Sequence, residues 1–262
     1  MKTTLFSLLL LFSRVAFADS SCDDILGEQK YDPLKIKDGI VCFVEQPALD
    51  KHNIQYGTET VVYFIAHGQK PRKAEGEALF NEGGNDPGKI VDAFELDVDH
   101  DGTEEIVVIQ FVEVRGSLAE PNSSREFYSV YVFNNTDVGL RLNKHATDWF
   151  GSEYSWHSDG NKIVSEYPYL TQESVRQVVA SPFAALIARD EVIPVIVKQK
   201  SSLYNAGSYT YTFEKTKKYL IAGDKAMVDK YKAGWCQITY SGGKKPLKMW
   251  IKCDVLQPDT GK

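Results

Sequence analysis

The sequence predicts a mainly β protein with two units, an N-terminal antiparallel β-rich (α+β) domain with a short helical end and a smaller C-terminal β unit. Short apolar stretches rich in β-branched and aromatic residues, separated by Gly, Pro and Asn turns, predict the strands. The balance of charged residues also changes between these two units. Residues 19–192 hold 15 Lys/Arg against 31 Asp/Glu, whereas residues 193–262 hold 13 lysines and no arginine against 5 acids. This asymmetry favours two domains, at 19–190 and 191–262.

The first domain reads as a β-meander that ends in helices. Its predicted strands are 40–44, 58–67, 90–96, 106–114, 127–133 and 140–142. Thr171 is a typical helix N-cap, and Val175, Val178 and Val179 fall on one side of a predicted helix over 171–179. Ser181-Pro182 predicts the start of a second short helix that runs to residue 188.

Residues 1–18 have the form of an export signal. Lys2 supplies the positive start, residues 5–12 are apolar, and cleavage is expected after Ala18. A bilayer-spanning helix needs about 20 apolar residues, so this run is too short to span a membrane. The sequence therefore predicts a periplasmic or secreted protein that does not cross the membrane.

The four cysteines fall into two local pairs, Cys22/Cys42 and Cys236/Cys253. An even number of cysteines in an exported chain predicts two disulfides. Four separate buried thiols are the alternative. Neither pair has the C-x-x-C spacing of zinc or thiol-redox sites.

Residue alternation in the last two long strands predicts their register. If Cys236 lies opposite Cys253, the six residues of the three resulting pairs share one face, as a half-buried antiparallel pair requires. The predicted pairs are Cys236 with Cys253, Ile238 with Ile251, and Tyr240 with Met249.

The tail contains three segments in the order YLIAGD at 219–224, GWCQITY at 234–240 and MWIKCDVL at 249–256. This order resembles that of the bacterial SH3-like (SH3b) domain. The resemblance covers about residues 193–257. It implies a small SH3-like β-barrel that acts as a binding module and has no catalytic residue of its own.

Aromatic residues of this module are the candidate binding residues, because aromatic grooves hold extended peptides and glycans. They are Tyr204, Tyr209, Tyr211, Trp235 and Trp250. Packing within the barrel is the alternative role, and Tyr211 is the one we expect to be half exposed.

A second aromatic group lies between the meander and the helices, at residues 149–150, 154, 156, 167 and 169. It predicts either a recognition surface, where aromatics are common, or a cover over the core beneath a long connection.

The segment 97–105 has the spacing D-x-D-x-D-G-x-x-E. Carboxylates at alternate positions can converge on one hard cation, and Gly102 permits the sharp turn. The candidate calcium ligands are Asp97, Asp99, Asp101, the backbone carbonyl of Thr103, and Glu105. An acidic turn without an ion is the alternative.

This loop resembles the calcium loops of FG-GAP-type exported proteins and the start of an EF-hand loop. It departs from the EF-hand at the twelfth position, which is Val108 rather than glutamate, and a strand follows it rather than a helix. The resemblance implies a structural calcium site that clamps a strand pair.

We found no catalytic motif: the histidines have no metal spacing, and G-x-S-x-G and phosphate-loop patterns are missing. Lysines without arginine forks in an exported chain disfavour nucleic acid. The sequence therefore favours a non-enzymatic binding protein whose partner is an envelope protein or peptidoglycan, such as an immunity or inhibitor protein. The alternative is a wall hydrolase that the SH3-like module targets.

Overall fold

The computed structural model describes residues 21–76, 79, 88–116, 118–188, 191–243 and 245–260. The predicted export signal at 1–18 lies outside the described residues. The chain is mainly β with antiparallel sheets, which confirms the predicted fold class.

The first sheet, sheet A, is a four-stranded meander in chain order. Its strands are β1 (Glu28–Ile36), β2 (Gly39–Leu49), β3 (Gln55–Ala66) and β4 (Arg72–Lys73). A disulfide from Cys22 to Cys42 links the segment before β1 to β2.

The second sheet, sheet B, has the order β5-β6-β7-β8, and β9 also pairs with β7. Its strands are β5 (Lys89–Leu96), β6 (Glu105–Glu113), β7 (Glu126–Thr136), β8 (Gly139–Leu142) and β9 (Ser152–Tyr154). A separate hairpin follows, made of β10 (Trp156–Asp159) and β11 (Lys162–Glu166).

Sheet B is buried on both faces. Ile106 and Val108 of β6 pack towards sheet A, whereas the alternate residues Val107 and Ile109 pack towards the helices. All four side chains are fully buried. Burial on both faces explains why β6 is a continuous apolar run rather than an alternating one.

Three helices cover the face of sheet B that points away from sheet A. They are α1 (Lys144–Phe150), α2 (Gln172–Val179) and α3 (Ala185–Ala188). The prediction of α2 is confirmed, with the Thr171 hydroxyl accepting from the Ser174 N–H at 3.3 Å. The second predicted helix begins later than expected, because residues 181–184 form turns before Ala185.

Helix α1 is a correction to the sequence analysis, which placed Trp149 and Phe150 in loops. Asn143 caps the helix by accepting from the Ala146 N–H at 3.0 Å, and Ala146 and Phe150, one turn apart, are both buried. The cap residue and this spacing were the available signal.

The tail forms one seven-stranded sheet in the order β14-β13-β17-β16-β15-β12-β18. The strands are β12 (Ile193–Val197), β13 (Ser201–Ala206), β14 (Phe213–Leu220), β15 (Lys225–Lys232), β16 (Trp235–Tyr240), β17 (Leu247–Lys252) and β18 (Leu256–Pro258). The predicted closed barrel is not found, because β14 and β18 end the strand order and do not pair with each other in the described part of the chain.

The tail core lies on one face of this sheet and includes Leu203, Val228, Ile238 and Ile251. Phe183 and Leu186, which precede β12 in the chain, belong to the same core. Residues in α3 and just before it therefore supply part of the tail's hydrophobic core.

Both predicted disulfides are present, Cys22–Cys42 and Cys236–Cys253. The predicted register of β16 and β17 is wrong by two residues, since Cys236 lies opposite Ile251 and Ile238 opposite Met249. The reason is that β17 ends at Lys252 and Cys253 starts a short 3₁₀ helix, so the disulfide is diagonal. A shift of two residues keeps every side chain on its face, so the predicted apolar face is unchanged.

We expect the Cys236→Ser, Cys253→Ser double variant to lose about 3 kcal/mol of stability, because the bond closes a ring of moderate length. The sequence separation of the two cysteines is 17 residues. Urea unfolding followed by Trp fluorescence measures the loss. Alkylation without reduction, read by intact mass, checks the bond in the wild type, and labelling of Cys236 or Cys253 would contradict it.

Candidate functional site

The acidic loop between β5 and β6 brings three carboxylates together. One oxygen of each of Asp97, Asp99 and Glu105 lies within 4.8 Å of the others. These side chains come from the two ends of the loop, because Glu105 is the first residue of β6. Three converging carboxylates are the donor set that suits a hard cation such as Ca²⁺.

Hydrogen bonds within the loop hold two of these carboxylates in place. Asp97 accepts from the N–H groups of Asp101, at 3.1 Å, and Gly102, at 3.0 Å. Asp99 also accepts from the Asp101 N–H, at 3.1 Å. Gly102 has a φ of 90° and His100 a φ of 59°, so the turn depends on two residues in the left-handed region.

Asp101 is the one predicted carboxylate that lies outside this group of three. The exposed Asp101 accepts from the Thr103 N–H at 2.6 Å and so acts within the turn. His100 reaches the other way, with its Nε2 atom 2.9 Å from the Val179 carbonyl oxygen. That contact attaches the loop to the end of α2.

Glu105 differs from its neighbours because it is buried, with 3% of its surface exposed. Its carboxylate accepts from the Val98 N–H at 2.8 Å. Burial raises the pKa of Glu105 to about 7, with the charges of Asp99, Asp101 and Asp97 adding to the rise and the Val98 hydrogen bond opposing it. A bound cation would offset this concentration of negative charge.

The tail carries a second arrangement, an aromatic cluster made of Tyr204, Phe213, Trp235 and Trp250. The ring of Phe213 stacks on Trp235 with centroids 4.3 Å apart and contacts Trp250 at 5.0 Å. Tyr204 meets the edge of Trp235 at 4.6 Å. Trp250 is buried and forms the floor, whereas the other three rings are partly exposed.

The cluster lies on the face of the tail sheet opposite its core. Trp250 alternates in β17 with Met249 and Ile251, which belong to the core. The Lys252 ammonium sits 3.9 Å from the centre of the Trp235 ring, and this cation–π contact places a positive charge on the cluster. We call this surface the outer face.

Three of the five predicted binding residues, Tyr204, Trp235 and Trp250, are therefore brought together. Phe213 and Lys252 complete the cluster and were missing from the predicted set. The sequence contains only weak indications of these two residues. Lys252 lies on the same side of β17 as Trp250, but Phe213 belongs to β14, which the sequence analysis did not identify as a strand.

Tyr209 and Tyr211 lie elsewhere, against the first half of the chain. Tyr209 stacks on His157 at 5.2 Å, and Tyr211 contacts Tyr167 at 5.9 Å. Tyr211 is mostly buried, and burial raises its pKa. These two residues join the tail to the first half rather than to the aromatic cluster.

The second aromatic group of the sequence analysis packs mainly in the core. Phe150, Tyr154, Tyr167 and Tyr169 are buried, so covering the core is their role here. Trp149 is partly buried and stacks on Tyr231 of β15 at 5.7 Å, which makes a further contact between the two halves.

Comparison with known proteins finds no match for the chain among protein-family models, curated proteins or solved structures. In the described residues, no helix combines the length and apolarity that a membrane crossing requires. The two disulfides are typical of a protein that folds in an oxidising compartment such as the periplasm or the cell exterior.

The raised pKa of Glu105 predicts a pH dependence of the metal-free protein. A carboxyl whose pKa is higher in the folded than in the unfolded state stabilises the fold below the unfolded value, and this contribution is lost as the pH rises through the folded value. We therefore expect Glu105→Gln to gain stability relative to the wild type between about pH 4.5 and about pH 7. Urea unfolding in chelator across this range measures the difference.

Glu104→Gln is the matched control, because Glu104 is exposed and adjacent. Its stability relative to the wild type should change little over the same range. Equal pH profiles for Glu105→Gln and Glu104→Gln would show that Glu105 does not titrate as described.

Proposed function

We propose that this protein is an exported binding protein without catalytic activity, and that its tail is an SH3-like module that holds an envelope protein or peptidoglycan. The observation that carries the proposal is the aromatic cluster of Tyr204, Phe213, Trp235 and Trp250 on the outer face. The hydrophobic core of the tail lies on the other face, so these rings are not needed to fill it.

Partly exposed aromatic rings are typical of binding surfaces, because they bury a large area on contact and lose little conformational entropy. The positions of the two tryptophans also support the resemblance to SH3-like modules. The strand that follows the Gly234-Trp235 pair and the strand that holds Trp250 are neighbours at the centre of the sheet, β16 and β17.

Within this class, a periplasmic immunity or inhibitor protein suits the chain. The first half has a net charge of −16, from 15 Lys/Arg and 31 Asp/Glu over residues 19–192. Such a charge would attract a basic toxin or wall-active enzyme over a distance and speed its association. The partner of the outer face would then be a second ligand of the same protein.

The acidic loop is proposed to hold a structural Ca²⁺. Asp97, Asp99 and Glu105 offer three converging oxygens, and Glu105 places one of them on the first residue of β6. An ion there would join the ends of β5 and β6 and stabilise the pair. Its role would be to hold sheet B together, apart from the outer face of the tail.

Calcium should raise the melting temperature of the wild type, because the folded state alone presents the three carboxylates together. The Asp99→Asn variant should lose most of this shift, since the asparagine carbonyl can still accept the Asp101 N–H but the side chain carries no charge. Differential scanning calorimetry in chelator and in calcium measures both. Glu104→Gln should keep the wild-type shift, and a wild type that does not respond to calcium would rule out the site.

Trp235→Ala should abolish retention of an envelope partner, since this residue contacts both Tyr204 and Phe213 and carries the Lys252 contact. Two assays distinguish the partners: pull-down from envelope extract detects a protein, and sedimentation with purified sacculi detects peptidoglycan. Tyr56→Ala is the control, because Tyr56 is an aromatic of sheet A with 65% of its surface exposed and lies outside the tail.

Circular dichroism and melting temperature must show that both variants fold. If Trp235→Ala retains the partner as well as Tyr56→Ala does, the cluster is not the binding surface. Release of soluble fragments from sacculi by the wild type would instead identify a wall hydrolase and overturn the non-enzymatic proposal.

A further inference from the structure

We infer that the outer face of the tail binds an acidic, extended polypeptide segment, which adds as a strand to the open edge of β14. This inference rests on the proposed function, and it names the chemistry of the ligand that the aromatic cluster holds. Strand register, charge and the sheet edge support it independently.

Strand register places lysines on both sides of the cluster. One row across five neighbouring strands shares a face, and it reads Lys215, Tyr204, Trp250, Gln237, Lys230. The row beside it reads Lys252, Trp235, Lys232. The two rows contain aromatic centres between lysines and no acidic residue.

These lysines differ in their exposure to solvent and in the side chains that they contact. Lys215 and Lys230 are exposed, and no acidic partner is seen for them in the described part of the chain. Lys252 lies over Trp235. Lys232 is partly buried near Tyr211, and burial lowers its pKa. Lys215, which lies opposite Tyr204, and Lys252, which lies over Trp235, are therefore the exposed cations nearest to the cluster.

The edge of the sheet beside the cluster is open. Among the described residues β14 pairs only with β13, so its other side has no neighbouring strand. Lys215, Lys217 and Lys218 are exposed along it. Lysines on an edge strand oppose pairing with neutral or basic strands, but they attract an acidic one, so the same residues provide selectivity.

The open edge favours a polypeptide over an acidic glycan. Both would interact with lysines and aromatic rings, but only a polypeptide has the N–H and C=O groups that extend a sheet. A peptide with acids at alternate positions would place them on the outer face beside Lys215 while its backbone pairs with β14, and the charge of Lys252, two strands away on β17, would attract them across the cluster.

The test uses the mature full-length protein and a fluorescent peptide of about ten residues that alternates glutamate and threonine. Fluorescence anisotropy at low salt should show binding that weakens as salt is added. The Lys215→Gln, Lys252→Gln variant should bind about tenfold more weakly. Lys198→Gln, Lys225→Gln removes the same charge beside β12 and should change the affinity by less than about twofold.

Two further probes test the backbone pairing. Two versions of the peptide, N-methylated at every glutamate or at every threonine, keep the charge but each lose the N–H groups of one edge, so one should fail to bind and the other should still bind. Equal binding of both methylated peptides would overturn strand addition. Binding of polygalacturonate but not of the peptide would identify an acidic glycan and overturn the inference.

The acidic first half of a second copy is the remaining candidate occupant. Self-association in sedimentation velocity that Lys215→Gln, Lys252→Gln abolishes would identify it and overturn the inference. Failure here is distinguishable from failure of the proposed function. If the acidic peptide does not bind but the envelope partner is still retained through Trp235, only the ligand chemistry assigned here is wrong.

Discussion

Burial of sheet B on both faces is the constraint on which the rest of the structure depends. Ile106 and Val108 need sheet A on one side, and Val107 and Ile109 need a cover on the other. The helices provide that cover, and residues in and near them also contact the tail. Phe183, just before α3, and Leu186, within it, lie in the tail core, and Trp149 of α1 stacks on Tyr231. A packing requirement at one strand thus sets the position of the module that presents the outer face.

Much of this could be predicted from residues that act locally. The apolar run of β6, the Thr171 cap and the two cysteine pairs each have a mechanism that operates within a few residues. The register of β16 and β17 failed because the facing of side chains has a period of two, so alternation alone accepts a shift of two residues. What decides between the registers is the end of β17 at Lys252, where the 3₁₀ helix begins.

The candidate sites were also predictable where they depend on residues close in sequence, and not where they depend on distant ones. The acidic loop was found because its carboxylates are close in sequence, although the role of Asp101 in the turn required the structure. The aromatic cluster was found only in part. Phe213 reaches Trp235 from a different strand, and Tyr209 and Tyr211 turn away to contact His157 and Tyr167. These outcomes depend on how distant strands pack, which residue spacing does not record.

The position of the tail disulfide has a consequence for handling the protein. Cys236 follows Trp235 and Cys253 follows Lys252, so the covalent bond holds together the two backbone positions that carry the indole and the ammonium group over it. Reductant in a purification buffer would break the disulfide that links these two positions. Material made in a reducing cytosol would lack this link, and refolding with an oxidant, or production in an oxidising cell compartment, would restore it.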